Sequence, residues 1–371
     1  MRARTTIRNL LVAAVGVALV APVSGTAQAK PERDLTFMTY NLYLGSSLDP
    51  ALDVAELPPA QQPAAFVAAV AKIYGTAVFT DFPTRANAIA DIIAAEEPDV
   101  IGLQEVTKWI AVPTPGSSAT PRSYDFLEIL MAALAARGLD YAVAGVSQNA
   151  NIGPAPLVAP GFGCTVVQPV PSCLVTLQDR DVILVNNDTP ALHWGNARSG
   201  TYADQQTIAL PTGTVSFGRG WVTIDGKYRG REFHVADTHL EVSGFAAVQE
   251  AQAREFLAKA AFGPGADIAL GDFNSAADGS STDSYDILTA GFRDAWAVNP
   301  GDPGDTSGQN ETLTNPVSTL RNRIDLILLN GAVDAVEAHV VGDLPFRPQT
   351  LPPRPIWPSD HAGVVATLRL R

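Results

Sequence analysis

The chain has 371 residues, a formal net charge of -13 at pH 7, and 46% hydrophobic against 17% charged residues. That apolar share supports a substantial core, and the length suits one large or two small domains. The acidic balance offers polyanions no general attraction, which argues against a high-affinity nucleic-acid binder; a nuclease is not excluded, because a bound divalent cation changes the local field.

Arg2, Arg4 and Arg8 precede an apolar run from Leu10 to about Val23, followed by small residues that end Ala27-Gln28-Ala29. A basic segment, a short apolar core and an A-x-A end predict a secretory signal peptide over 1–29. The run is shorter than the ~18–20 apolar residues of a spanning helix. Cleavage after Ala29 would remove three positive charges and take the net charge from -13 to -16. A soluble, exported, extracellular product without a transmembrane anchor is expected, with one domain over 34–371. The two cysteines, Cys164 and Cys173, enclose two prolines. Export permits a disulfide, and these two are expected to pair.

Leu35 to Tyr40 reads as a buried strand ending at Asn41. A helical pattern runs from about Pro63 to Tyr74. Thr84 is placed to cap a helix over Arg85 to Glu96, with Ala88, Ile89, Ile92 and Ile93 on its apolar face. Asp99 to Gln104 is a second buried strand, ending at Glu105. Tyr124 to Arg137 is a predicted helix stopped by Gly138, and Tyr141 to Val146 a predicted strand. The Pro/Gly-rich stretch Ser147 to Leu177 is long for a connection and reads as an inserted loop near a functional face. Strand character resumes over Asp181 to Val185. Gly220 to Asp225 and Arg231 to Asp237 read as paired strands around Gly226 to Gly230. Phe245 to Ala260 is a predicted helix with Phe245, Val248, Phe256 and Leu257 inward. Asp267 to Leu270, Ile324 to Leu329 and a closing segment, Ala362 to Leu370, complete the predicted strands. Strands and helices alternate without a βαβ rhythm, which points to packed sheets with helices outside.

Polar residues recur where these strands end: Asn41, Glu105, Asp237-Thr-His239, Asp272-Phe-Asn274, Asp325 and Ser359-Asp360-His361. Taken singly, each has an ordinary explanation as a cap, a turn former or a core histidine. Together they describe acids and histidines carried on rigid strands. Carboxylate and amide oxygens without cysteine are hard ligands that suit Mg2+, Mn2+ or Ca2+. Two of the five histidines, His239 and His361, fall in the acidic clusters, where they can bind a phosphoryl oxygen or move protons.

Thr39-Tyr-Asn41-Leu, Leu103-Gln-Glu105-Val, Asp237-Thr-His239-Leu, Gly271-Asp-Phe-Asn274, Arg323-Ile-Asp325 and Ser359-Asp-His361 occur in an order that resembles the endonuclease/exonuclease/phosphatase superfamily. The resemblance implies a four-layer α/β/β/α sandwich: two central, mostly antiparallel β-sheets flanked by helices. It also implies metal-assisted in-line attack of water on phosphorus. By that resemblance Glu105 is the main metal ligand, with Asn41 its neighbour and Asp360 beside the metal. Asp272 orients or deprotonates the water, and Asn274 holds phosphate or substrate. His361, paired with Asp325, binds the scissile phosphate, and His239 is the second phosphate-binding or acid histidine. Members with two such histidines pair the first with an acid from an earlier strand, here Asp179 or Asp181. Abasic-site enzymes of the group carry an acid where this chain has Tyr43, which speaks against that activity.

Nucleic acid is the first expected substrate class and a phospholipid headgroup, as in phospholipase C or sphingomyelinase, the second. A lipid-active enzyme should expose an apolar loop, for which Pro154 to Phe162 and Leu351 to Trp357 are candidates; both also read as ordinary rigid loops. A third reading, a catalytically silent binding protein, predicts a lost site residue, and all eight are present. The polar stretch Gly291 to Pro316 should approach the site, and Arg321 and Arg323 either meet phosphate or form surface salt bridges.

Overall fold

In the run Asp34–Asn41 every residue is buried. Leu35 and Phe37 face one apolar cluster and Met38 and Tyr40 another. A strand buried on both faces needs a layer on each side, and that requirement sets the architecture. The computed structural model describes residues 34–167, 170–210, 213–346 and 355–371; the predicted signal segment 1–29 lies outside them.

From β1 (Asp34–Asn41) the chain passes through helices α1 (Asp49–Leu52), α2 (Gln62–Phe79) and α3 (Phe82–Glu96) to β2 (Val100–Gln104). Strands β3 (Lys108–Pro113) and β4 (Arg122–Asp125), helix α4 (Phe126–Ala135) and strand β5 (Tyr141–Leu157) follow. Two short strands, β6 (Val166–Val167) and β7 (Val170–Pro171), precede β8 (Cys173–Asn186). The second half holds β9 (Leu192–Thr201), β10 (Gln206–Leu210), β11 (Gly213–Phe217), β12 (Gly220–Tyr228), β13 (Arg231–His239), α5 (Ala246–Lys259) and β14 (Ala266–Asp272). It closes with α6 (Ser284–Thr289), β15 (Arg293–Asp294), β16 (Asp325–Asn330), β17 (Val333–Val341) and β18 (Gly363–Leu370).

One sheet runs β17-β18-β1-β2-β8-β3-β4, with β5 also on β8; the other runs β15-β16-β14-β13-β12-β9. Each contains one parallel pair, β1 with β2 and β13 with β14, and the remaining pairs are antiparallel. A parallel pair needs a crossover, which α1 to α3 supply in the first sheet and α5 in the second. Phe37, Ile183, Val235, Ile268 and Val364 fill the space between the sheets. Residues of α2, α3 and α4 cover the outer face of the first sheet, and residues of α5 and α6 that of the second. The four-layer sandwich expected from the motifs is the observed fold.

Several boundaries differ from the sequence reading. The third helix starts at Phe82, not Arg85: Pro83 occupies its first turn, and Thr84 bonds Asp81 rather than capping the helix. The helix near Tyr124 starts at Phe126, where the Asp125 side chain caps it; Tyr124 belongs to β4. On α5 the fully buried positions are Gln249, Gln252, Ala253 and Phe256, because both glutamines hydrogen-bond loop carbonyls. The segment Ser147 to Leu177 is not a loop. β5 continues through it and pairs with β8 as far as Leu157 with Cys173, and the Cys164–Cys173 disulfide closes the end of this arm. Pro154 sits in the register shift between Ile152 and Ala155, one of three that bend the hairpin. The last strand lies between β17 and β1.

Arg85 is fully buried, and among the described residues its hydrogen-bond partners are backbone carbonyls rather than carboxylates. Its guanidinium donates to the carbonyls of Leu42 (2.7 Å), Tyr43 (3.1 Å), Pro358 (2.8 Å) and Thr80 (3.0 Å). It thereby joins the chain after β1 to the chain that precedes Asp360. Replacing it by methionine keeps the volume and leaves those carbonyls unsatisfied. Arg85→Met is expected to lower the unfolding free energy by about 3 kcal/mol, read from urea denaturation followed by circular dichroism; an unchanged midpoint would show that the carbonyls find other donors.

Candidate active site

The strands deliver their terminal side chains to one end of the sandwich. Asn41 ends β1, His239 ends β13, Asp272 ends β14 and Asp325 begins β16. Asp272 lies opposite both His239 and Asp325 in the sheet register. Glu105 follows β2 with a positive φ of 54°, and Asn274 has φ 50°. Such backbone in non-glycine residues is costly and aims side chains where a regular strand would not. The glycine of Gly271-Asp-Phe-Asn274 has a packing reason: a Cβ there would meet the Thr238 carbonyl oxygen at 2.2 Å.

Asp272 is the hub. Its Oδ2 accepts from Asn41 Nδ2 at 3.0 Å and lies 3.5 Å from His239 Nε2 and 3.9 Å from His361 Nε2. Its Oδ1 accepts from the Asn274 backbone N–H at 2.9 Å. Burial raises its carboxyl to about 7, with Asp325 pushing the same way. His361 Nδ1 lies 2.8 Å from Asp325 Oδ2, which sets the tautomer and turns Nε2 toward Asp272. Burial opposes a charge on His361, but Asp325, Asp360 and Asp272 outweigh it and raise its pKa well above the ordinary value.

His239 has the opposite electrostatics. Burial, then Arg219 and His361, push its pKa well down. Its ring nitrogens face donors, Arg219 Nη1 at 2.8 and 3.0 Å and Asn274 Nδ2 at 3.0 Å, while the Asp272 carboxylate stands farther off, 3.5 Å from Nε2. Asp179 and Asp181 project from β8 toward this ring, and all three offer ligand atoms within 4.8 Å of one another. The hydrogen-bond partners of His239 are nevertheless Arg219 and Asn274, not either aspartate. Burial raises Asp179 to about 6 and, aided by Asp179, raises Asp181 well above the usual carboxylate range.

Arg219 is the residue the sequence reading missed. It stands between β11 and β12, outside every motif, and lines the cleft. Burial works against its charge, but Glu241, Asp179 and Glu105 outweigh it and hold the guanidinium charged. The only sequence signal is a charged residue just before a strand that leads into the Asp237-Thr-His239 hairpin. Arg323, the other way, forms a salt bridge with Asp294 at 2.5 Å and lies over Trp296. The polar stretch Gly291 to Pro316 does reach the site: Gly308 and Gln309 donate to the Asp360 carbonyl, and Thr306 Oγ1 accepts from the Asp325 N–H. Asp237 lies behind the site, bonded to Gln104 at 2.6 Å.

Glu105 and Asp360 line the same cleft as Asp272, Asn274, His239 and His361. Glu105 Oε2 accepts from Leu44 N at 2.5 Å. Burial raises Asp360 to about 7, and Glu105 adds to the rise while His361 opposes it. Two cleft carboxylates that repel each other, with the amide of Asn41 nearby, form an oxygen donor set suited to a hard divalent cation. Asp272, Asp325 and His361 form a further group with ligand atoms within 4.8 Å. Asn41, Glu105 and Asp360 thus supply the hard oxygen chemistry a divalent cation takes, while neither group of ligand atoms within 4.8 Å among the described residues includes them.

Comparison with known proteins identifies the family and the fold. Residues 38–361 match the model of the Endonuclease/Exonuclease/phosphatase family. Comparison with curated proteins gives no match. Among solved structures, an endonuclease/exonuclease/phosphatase family protein of Bacteroides thetaiotaomicron superposes with a TM-score of 0.55 at 15% identity, covering 91% of this chain and 95% of the other. A mannosyl-6-phosphatase of the same organism gives 0.54 at 16% identity, covering 90% and 99%. A family protein of Leptotrichia buccalis gives 0.51 at 17% identity, covering 91% and 100%. At these identities the structures establish the fold, and the family match reaches from β1 to His361. The chain belongs to the endonuclease/exonuclease/phosphatase family of metal-dependent phosphoester hydrolases.

Proposed function

We propose that the protein is an exported phosphoesterase that directs water at a phosphorus atom held between Asp272, His361 and Arg219. The observation that carries this reading is the Asp272 hub, whose carboxylate meets Asn41 and faces both histidines. A divalent cation at Glu105, Asp360 and Asn41 would supply positive charge to the phosphoryl oxygens. Asp272 orients the water and takes its proton as the new P–O bond forms. His361, held protonated, stabilises the charge that builds on the phosphoryl group and has a proton for the departing oxygen. Arg219 and Asn274 hold the remaining oxygens. The leader-like segment 1–29 and the disulfide support export.

The cleft encloses about 1110 Å³ including its open mouth. Its lining carries Asp49, Glu105, Glu241, Asp272, Glu311 and Asp360 against one arginine, Arg219. That balance disfavours a polyanion and supports a substrate with an isolated phosphoester, which moves preference from nucleic acid toward a headgroup-type phosphoester. The screen that tests this uses plasmid DNA, RNA, sphingomyelin vesicles, bis-p-nitrophenyl phosphate and p-nitrophenyl phosphate, with Mg2+, Mn2+ or Ca2+ and with EDTA. Metal-dependent turnover of at least one substrate is expected, and full activity in excess EDTA would sink the mechanism.

Asp272→Asn and His361→Asn should each lower kcat by roughly 10³-fold in a folded protein. Arg219→Ala should cost about 10²-fold, and a wild-type rate in that variant would remove the guanidinium from phosphate binding. The metal-free protein should also lose stability as pH rises. Asp179, Asp272 and Asp360 have folded pKa values of about 6, 7 and 7, above the ordinary 3.8. Their contribution is complete below pH ~4 and is lost as pH climbs through the folded values. Urea midpoints in EDTA should therefore fall between pH ~4.5 and 7.5, and added divalent cation should restore the loss at pH 7.5. A flat profile in EDTA would show that these carboxylates are not strained by burial.

A further inference from the structure

A second cavity adjoins the catalytic cleft, and its chemistry is different. It spans about 520 Å³ including its open side, and every lining side chain is apolar. Phe66, Val70 and Ile73 of α2 form one wall, and Ile152, Ala155, Val175 and Leu177 of the β5–β8 arm form the other. Trp109 also lines it, with the indole N–H already satisfied by the Leu44 carbonyl at 2.8 Å. Leu48, Leu52 and Phe217 line both this cavity and the catalytic cleft. The two spaces therefore share a wall, and a molecule seated at Arg219 and Asp272 has an apolar chamber beside it.

From this continuity we infer that the cavity receives an apolar chain of the substrate, so that the enzyme prefers a phosphoester carrying an alkyl or acyl chain. The inference rests on the phosphoesterase reading above. A dry chamber lined by leucine, isoleucine and phenylalanine gains nothing from a sugar or a base, whereas each methylene that enters leaves water. Helix α2, which walls the chamber, carries a single charge, Lys72, in 18 residues. That is unusual for a helix with much of its surface in solvent and suits an approach to apolar material. Asp49, Asp53 and Glu56 stand exposed beside the entrance, so a zwitterionic or neutral headgroup fits better than an anionic one.

The test uses the full mature enzyme and a series of methyl, butyl and octyl p-nitrophenyl phosphate diesters. In wild type, kcat/KM should rise roughly threefold per methylene until the chamber is filled. Ala155→Phe fills the chamber from the arm without touching a site residue. It should remove the chain-length gain and leave the methyl ester at its wild-type rate; Ala51→Phe, from α1, is the second filling variant in case the first disturbs the arm. Trp109 is the tryptophan lining the chamber, so its emission gives a readout independent of turnover. Octylphosphonate, but not methylphosphonate, should shift the emission of wild type, and neither should shift that of Ala155→Phe. Phosphatidylcholine vesicles offer the same chemistry from a bilayer. Turnover of vesicles along with the octyl ester assigns the chain to a lipid, and turnover of the octyl ester alone assigns it to a soluble ester. Equal kcat/KM across the ester series with no octylphosphonate response overturns the chamber while leaving the phosphoesterase intact. An emission shift without hydrolysis of any ester keeps the chamber and overturns the catalytic reading.

Discussion

The hydrogen bond from Asn41 to Asp272 joins residues 231 positions apart, and it spans the two sheets at 3.0 Å. Most of the inter-sheet space is filled by aliphatic and aromatic side chains. At the end where Asn41 and Asp272 meet, the same interface turns polar, with Gln104 bonding Asp237 across the same gap at 2.6 Å. A sandwich packs tightly because its inner faces are dry. Ending the dry region with matched polar pairs lets carboxylates lie buried without sheet separation, and it holds them with the rigidity of the strands that carry them.

That burial has an electrostatic consequence. Asp179, Asp181, Asp237, Asp272 and Asp360 all have raised pKa values, and desolvation is the first cause in each case. Several of their oxygens have no protein donor. So much buried acid is unfavourable unless protons or cations compensate. The histidines divide the compensation between them. His361 is held charged by its three carboxylate neighbours, and His239 is kept neutral by burial and Arg219. Two imidazoles in one cleft thus hold different protonation states, the separation a donor and a neutral partner require.

Two arginines do different work. Arg85 spends its donors on backbone carbonyls and fixes the loops that carry Tyr43 and Asp360. Arg219 faces carboxylates and His239 and lines the cleft. The apolar chamber adds a third element, built where α1 and α2 meet the β5–β8 arm. The arm's apolar residues turn toward that chamber and the helix-side core: Leu157 is buried, and Phe162 packs edge-on to Tyr74. Trp357 is likewise buried, against the Leu313 loop. Neither segment presents those side chains as a membrane-facing loop; within Leu351 to Trp357, residues 351–354 lie outside the described structure.

The linear chain determined what local chemistry can write. Buried strands such as Asp34–Asn41 and Ala266–Asp272 show as short apolar runs, and the polar residues that end them show as breaks in those runs. Asn41, Glu105, His239, Asp272, Asn274, Asp325, Asp360 and His361 were legible because each sits beside such a break. Strands β9, β10, β11 and β17 were not, since they are short of unbroken apolar runs and owe their conformation to a neighbour's backbone hydrogen bonds. The arm over Ser147 to Leu177 was hidden for the same reason, with Pro154 marking a bend in a ladder. Tertiary structure alone decided that Arg219 reaches His239, that Asp179 and Asp181 stand close to that ring without bonding it, and that an apolar chamber lies beside the phosphate site. Each depends on distances between strands far apart in the chain, and residue order carries no measure of such distances until the sheets are packed.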